Sequence, residues 1–203
     1  MSKQHEAALQ NYRTTLEEHR ESGDKLFMAH TLTDIGFTYS QMGETETALS
    51  QYEQAIALYR ELENREGEAL VINNIGKAHA NAGNRELALV EYDKALQIRK
   101  EIDDKAGIAS TLNNIGGLYA LKGGDKRKAL AYFEEALPIL VALDDKAGQT
   151  ITLANIAASY KAIGEARKAA GIAKRLRDLE KQIRDEQKRN KKIEKLHKDT
   201  EAS

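Results

Sequence analysis

Apolar residues return along this chain at two spacings, a short one of three to four residues and a long one of forty. Leu32, Ile35 and Tyr39 occupy one helical stripe. It comes back as Ile72, Ile75, His79, then as Leu112, Ile115, Tyr119, then as Leu153, Ile156, Tyr160. A second series lies between them: Ala48, Tyr52, Ala55, then Ala88, Tyr92, Ala95, then Ala129, Phe133, Ala136. The short spacing predicts amphipathic helices. Its recurrence at a fixed long period predicts a stacked repeat architecture. The period is 40 as far as Asn114 and 41 from there to Asn155, because Gly123-Gly124-Asp125 carries one residue more than the matching turns.

Turn chemistry sets the boundaries. Asp24, Asn64, Asp104 and Asp145 stand where an N-cap oxygen would accept orphan backbone N–H groups. Four first helices are therefore expected over roughly 25–42, 65–82, 105–122 and 146–163. Gly43, Gly83, Gly123 and Gly164 should close them in the left-handed conformation. Second helices are expected over roughly 44–63, 84–103, 126–144 and from 165 onward. Gly36, Gly76 and Gly116 fall inside first helices, where glycine costs about 1 kcal/mol relative to alanine. Their common register predicts the close approach of an aromatic ring from the facing helix. Pro138 removes a backbone donor inside the third second helix and is expected to kink it.

The two ends differ from the middle. Residues 1–22 predict one helix with Ala8, Tyr12 and Leu16 on a stripe. Ala8 and Tyr12 precede Ala48 and Tyr52 by forty, so the helix reads as an unpaired half-repeat whose stripe is open on one side. A covering neighbour, a longer chain or a capping role would each account for it. Beyond about residue 165 charge dominates; residues 174–203 hold eleven Lys and Arg against seven Asp and Glu. A sparse stripe of Leu176, Leu179, Ile183, Ile193 and Leu196 predicts one long helix of roughly 30 residues. Its start should pack on the fourth hairpin and its end project. The expected organisation is thus a half-repeat at 1–22, four helical hairpins at 23–180 and a charged helix or tail at 181–203.

The order Leu32, Ile35, Gly36, Tyr39, Gly43, Ala48, Tyr52, Ala55, repeated at forty and eighty, resembles the tetratricopeptide repeat. The resemblance covers roughly residues 1–180. Departures are Leu or Ile at the first signature position, His79 for a Tyr, Ala157 for a Gly, Ala173 for the aromatic, and a period of 40 rather than about 34. In that respect the chain is similar to the longer-helix variety of kinesin light chains, Leu-Gly-Asn-repeat adaptors and many prokaryotic regulators. The resemblance implies an all-α fold, a right-handed α-solenoid of antiparallel hairpins in one continuous superhelix, with the first helices lining the concave face. It also implies a non-enzymatic scaffold for protein partners.

Composition removes several other classes. With 41% apolar residues, 31% charged residues and a net charge of −1, nothing pulls the whole chain toward nucleic acid or a membrane surface. There is no Cys, so neither disulfides nor thiol chemistry arise, and a cytoplasmic location is the plain expectation. The opening Met1-Ser2-Lys3-Gln4-His5-Glu6 lacks the apolar centre of a signal peptide. No apolar run approaches the length of a membrane span. The basic tail is interleaved with acids and has no aromatic to stack on bases, so no nucleic-acid partner is expected. The five histidines show no metal-ligand spacing. Asp103-Asp104 and Asp144-Asp145 read as caps, and no phosphate loop is present. Neither an enzyme, nor a metal, nor a cofactor is expected.

One feature points to a ligand. The mid-helix pairs Thr33-Asp34, Asn73-Asn74, Asn113-Asn114 and Ala154-Asn155 hold five asparagines in eight positions. Asparagine competes with the helical backbone and is a poor interior residue. Two readings stand. In one, duplication has copied amides that bond to neighbouring helices or water. In the other, which the family resemblance also implies, an extended peptide is held through its main chain by Asn74, Asn114 and Asn155. Asn73, Asn113, Asp34 and Lys77 are then second contacts, Phe37 an apolar wall, and Gly117 and Ala158 leave room for side chains. Packed helices lie about 8–10 Å apart and an extended chain advances about 3.3 Å per residue, so one asparagine would meet every third peptide residue. Basic residues for clamping a terminal carboxylate are lacking apart from Lys77 and Lys161. The alternative to peptide binding is a self-associating scaffold, a weak homodimer formed through the terminal helices.

Overall fold

The computed structural model describes residues 3–201, with side chains as far as Lys191 and again at Ile193 and Glu194. Among the described residues there are nine helices and no strand. They are α1 (Lys3–Ser22), α2 (Lys25–Gln41), α3 (Thr45–Glu61), α4 (Arg65–Asn81), α5 (Arg85–Glu101), α6 (Lys105–Ala120), α7 (Lys126–Ala142), α8 (Lys146–Ala162) and α9 (Ala166–Glu201). The chain is all-α, of the α-solenoid class. It divides into two compact units, Met1–Leu118 and Tyr119–Ser203, with the boundary inside α6.

The caps form as the side chains dictate. Asp24 accepts from Phe27 N, Asn64 from Gly67 N, Asp104 from Gly107 N and Asp145 from Gly148 N, each at 2.8–3.2 Å. Gly43, Gly83, Gly123 and Gly164 all take positive φ, between 77° and 81°. The second helices end differently: Glu63, Asp103 and Asp144 hold φ between 51° and 56°, a left-handed conformation in which a Cβ is strained. α7 runs unbroken through Pro138, which lies on its exposed face.

In the first unit the core runs from Leu9 and Leu16 of α1 through Leu32 and Ile35, Tyr52 and Tyr59, Ile72 and Ile75, to Ala95 and Ile98 of α5. Gly36 and Gly76 have the packing reason their register predicts. A Cβ on Gly36 would lie 2.7 Å from the Tyr52 ring, and one on Gly76 would lie 2.6 Å from the Tyr92 ring. The stripe on α1 is not left open, because Leu16 is buried and Tyr12 packs against the same core, while most of the residues α1 exposes are polar. α1 thus buries one stripe and presents a polar face on the other side.

The second unit has its own core of Ala129, Leu130, Phe133 and Leu137 from α7 with Leu153 and Ile156 from α8. Ile172, Leu176 and Leu179 of α9 pack against it. At 36 residues α9 is about 54 Å long, longer than the charge pattern alone suggests. It is tied down well beyond its last packed leucine by Lys146, whose ammonium reaches both oxygens of Glu186 at 2.7 and 2.5 Å. Ile193 is exposed, and the expected stripe residue Leu196 lies outside the described side chains.

Candidate functional site

In the first unit the outer faces of α2, α4 and α6 adjoin. Lys77 Nζ of α4 sits 5.6 Å from the centre of the Phe37 ring of α2. Asn114 Nδ2 of α6 donates to Asn73 Oδ1 of α4 at 3.1 Å. On this surface Asp34 and Phe37 are exposed, and Asn74, Lys77, Asn113, Asn114 and Gly117 are half-buried. The structure therefore pairs Phe37 with Lys77 and Asn73 with Asn114, and Asp34, Asn74 and Asn113 lie at the neighbouring positions of the same helices. Asn155 is half-buried at the matching register of α8 in the second unit, with Ala158 exposed one turn on.

The asparagines are not equivalent. Asn73 is only 4% exposed; besides Asn114, the Thr111 hydroxyl stands 3.3 Å from its Oδ1. Asn74 makes no side-chain hydrogen bond, and neither does Asn155. A half-buried amide held on a helix with its donor and acceptor open to solvent is free to pair with a ligand. Although Asp34 is exposed as a residue, neighbouring side chains partly desolvate its carboxyl and push it above its usual range, with His30 offsetting part of the rise. Desolvation that exceeds the effect of a nearby positive charge does this.

A second register lies nearer the helix starts. Tyr59, Arg99 and Leu140 end their second helices at equivalent positions, and each lies against a glycine one repeat pattern on. A Cβ on Gly67 would fall 2.3 Å from the Tyr59 ring, one on Gly107 2.6 Å from Arg99 Nε, and one on Gly148 2.7 Å from Leu140 Cδ2. In the first repeat the corresponding pair is His19 and Phe27, whose rings stack at 5.0 Å. Tyr59 reaches through its slot to His30 Nδ1 at 3.0 Å. Arg99, 5% exposed, donates from Nη1 to Gly107 O at 2.7 Å and to Thr111 Oγ1 at 2.6 Å. Arg99, Thr111, Asn73 and Asn114 thus form one connected polar chain beneath the surface. Burial lowers the Arg99 pKa, and the carboxylates of Asp104 and Glu66 act against that shift.

Sequence reasoning did not single out Arg99, Thr111 or these glycines. The signal was present as Asn64-x-x-Gly67, Asp104-x-x-Gly107 and Asp145-x-x-Gly148, a cap followed three residues later by glycine at the same long period. Among the described residues no group of three or more His, Cys, Asp or Glu could hold a metal ion, and no described helix is long and apolar enough to cross a membrane.

A family model described as tetratricopeptide repeat matches residues 1–61 and 67–142. No curated protein matches the chain by sequence. Among solved structures it is similar to BtubC (BKLC) from P. vanneervenii, with 26% identity, a TM-score of 0.76, and 90% of this chain covering 75% of that one. A Rap protein complexed with competence and sporulation factor shares the fold at 20% identity and a TM-score of 0.75, over 87% of this chain and 49% of that one. So does the Rap conjugation gene regulator of plasmid pLS20 in complex with the Phr* peptide, at 15% identity and a TM-score of 0.67, over 91% and 57%. The chain spans about half the length of these two Rap proteins.

Proposed function

The chain belongs to the tetratricopeptide repeat family, a protein-interaction scaffold by fold, and from that premise we propose that it holds an extended peptide segment of a partner against the outer faces of α2, α4 and α6. Asn74 is the central contact, using its carbonyl and its amide group on one peptide unit of the ligand. Asn114 contributes its carbonyl oxygen while its amide group stays with Asn73. Asp34, Phe37 and Lys77 flank the segment, and Asn155 offers the same chemistry in the second unit. The observation that carries this reading is the contrast within one pair: Asn73 is buried and paired, Asn74 half-buried and unpaired. The fold likeness to a regulator solved with the Phr* peptide supports it.

Main-chain contacts carry no sequence information, so partner choice falls to the side chains around them. The test is affinity capture of partners from the source cell with wild type and Asn74→Ala. Losing one neutral hydrogen bond costs about 0.5–1.5 kcal/mol. Partner binding is expected to weaken roughly three- to tenfold with unchanged helical content and melting temperature. Undiminished capture by the folded variant would refute the proposal.

A further inference from the structure

Where the starts of α2, α4 and α6 meet, the first unit contains a cavity of about 340 Å³ lined by Leu26, His30, Glu66, Leu70, Arg99 and Asp104 among others. Its walls are mixed in a specific way. Leu26 and Leu70 are 38% and 41% exposed, so each presents apolar surface to the opening. Arg99 is buried, yet its Nε has no hydrogen-bond partner. The closest carboxylate oxygen, Asp104 Oδ2, stands 3.5 Å away, beyond hydrogen-bond length. Among the described residues Glu66 has no salt-bridge partner in direct contact, though its charge acts on Arg99 from a distance. Arg99 and Asp104 thus form an ion pair that leaves the Nε–H without a hydrogen bond, and a buried donor costs free energy while it stays unmet.

We propose that this cavity takes a carboxamide side chain, that of a glutamine or asparagine in the partner segment. The inference rests on the peptide-binding reading above. A carboxamide is neutral and carries both functions: its oxygen accepts from the Arg99 guanidinium and its N–H donates to Asp104 or Glu66. A carboxylate would meet the carboxylates of Asp104 and Glu66, and an ammonium has no acceptor for the Arg99 N–H, so neither suits both sides of the cavity. Leu26 and Leu70 cover the methylenes that lead to the amide. The polar chain Arg99–Thr111–Asn73–Asn114 ties the cavity floor to the residues that hold the main chain, so the anchored side chain and the peptide backbone share one rigid support.

Small probes test this on the intact chain. Butyramide, butyrate, butylammonium and N-methylacetamide are titrated separately while the Arg99 Nε–H and the Gly67 and Gly107 backbone amides are followed by NMR. Butyramide is expected to move these signals saturably. Butyrate and butylammonium should bind at least about threefold more weakly, as should N-methylacetamide, which stands for a main-chain amide. Leu70→Ala and Glu66→Gln change exposed positions and leave the core intact. The first should weaken butyramide about threefold. The second should bring butyrate up to the strength of butyramide. The proposal is overturned if no probe moves the Arg99 signal, if another probe matches butyramide on the wild type, or if neither variant changes the order. A chain that keeps its partner through Asn74 but ignores butyramide loses only this inference. One that binds butyramide and no extended partner loses only the other.

Discussion

Asn73 Oδ1 and Asn114 Nδ2, forty-one residues apart in sequence, are joined by a 3.1 Å hydrogen bond between α4 and α6. Both residues belong to asparagine pairs that look alike in the sequence, yet the bond gives their members different work. Asn73 faces inward and receives from its neighbours. Asn74, one residue and about 100° further around the helix, faces the open surface.

Asn73→Ala should therefore behave unlike Asn74→Ala. It strands the Asn114 amide and removes an acceptor beside Thr111, at a cost of about 1–3 kcal/mol. Urea denaturation is expected to show a lower midpoint at unchanged slope. Equal midpoints for the two variants would contradict the inward and outward assignment.

Two glycines should respond in opposite directions to the same substitution. A Cβ on Gly76 would strike the Tyr92 ring, which is 2% exposed and cannot swing away. Overpacking of this kind costs about 1–3 kcal/mol, more than the helix propensity gained. A Cβ on Gly117 would have nothing within 4 Å of it, so Gly117→Ala should gain about 0.5–1 kcal/mol. Thermal melts of both variants decide it, and stabilisation by Gly76→Ala would sink the packing account.

Glu68 sets an acid limit on stability. It is 4% exposed and receives hydrogen bonds from Arg60 Nε at 2.7 Å and Arg65 Nη1 at 2.5 Å; Arg65 also holds Glu101 at 2.8 Å. Burial works against its charge, but the bonds from the two arginines outweigh it and hold the carboxyl below the usual range. A depressed folded pKa stabilises above the unfolded value of about 4.3 and loses that contribution as pH falls through the folded value. Unfolding free energy should drop below about pH 4.5, and the drop should be smaller in Glu68→Gln. The check is chemical denaturation from pH 7 down to pH 3. Identical acid profiles would remove Glu68 from the account.

Much of the fold was legible because it rests on local rules repeated four times. Asp24, Asn64, Asp104 and Asp145 cap their helices, and Gly43, Gly83, Gly123 and Gly164 take the left-handed turn, because each acts within a few residues of itself. The ring behind Gly36 and Gly76 could be inferred, since a shared register implies a shared neighbour. What was hidden depends on orientation. Neighbouring asparagines give no sign of which one turns inward until the crossing of α4 and α6 is fixed. Arg99 looks in sequence like a surface charge at a helix end, and only the slot at Gly107 shows that it runs inward. The left-handed Glu63, Asp103 and Asp144 were likewise missed, because an acidic residue just before a helix start reads first as a cap.

Tyr59, Arg99 and Leu140 differ in size, charge and polarity, yet each rests against a glycine at one register. A socket without a side chain of its own sets no demand on what enters it. Descendants of a duplicated hairpin can therefore diverge at that position without disturbing the stack, much as interchangeable keys share one lock body. The hairpins can therefore carry an aromatic, a cationic or an aliphatic side chain at that position on one unchanged backbone arrangement.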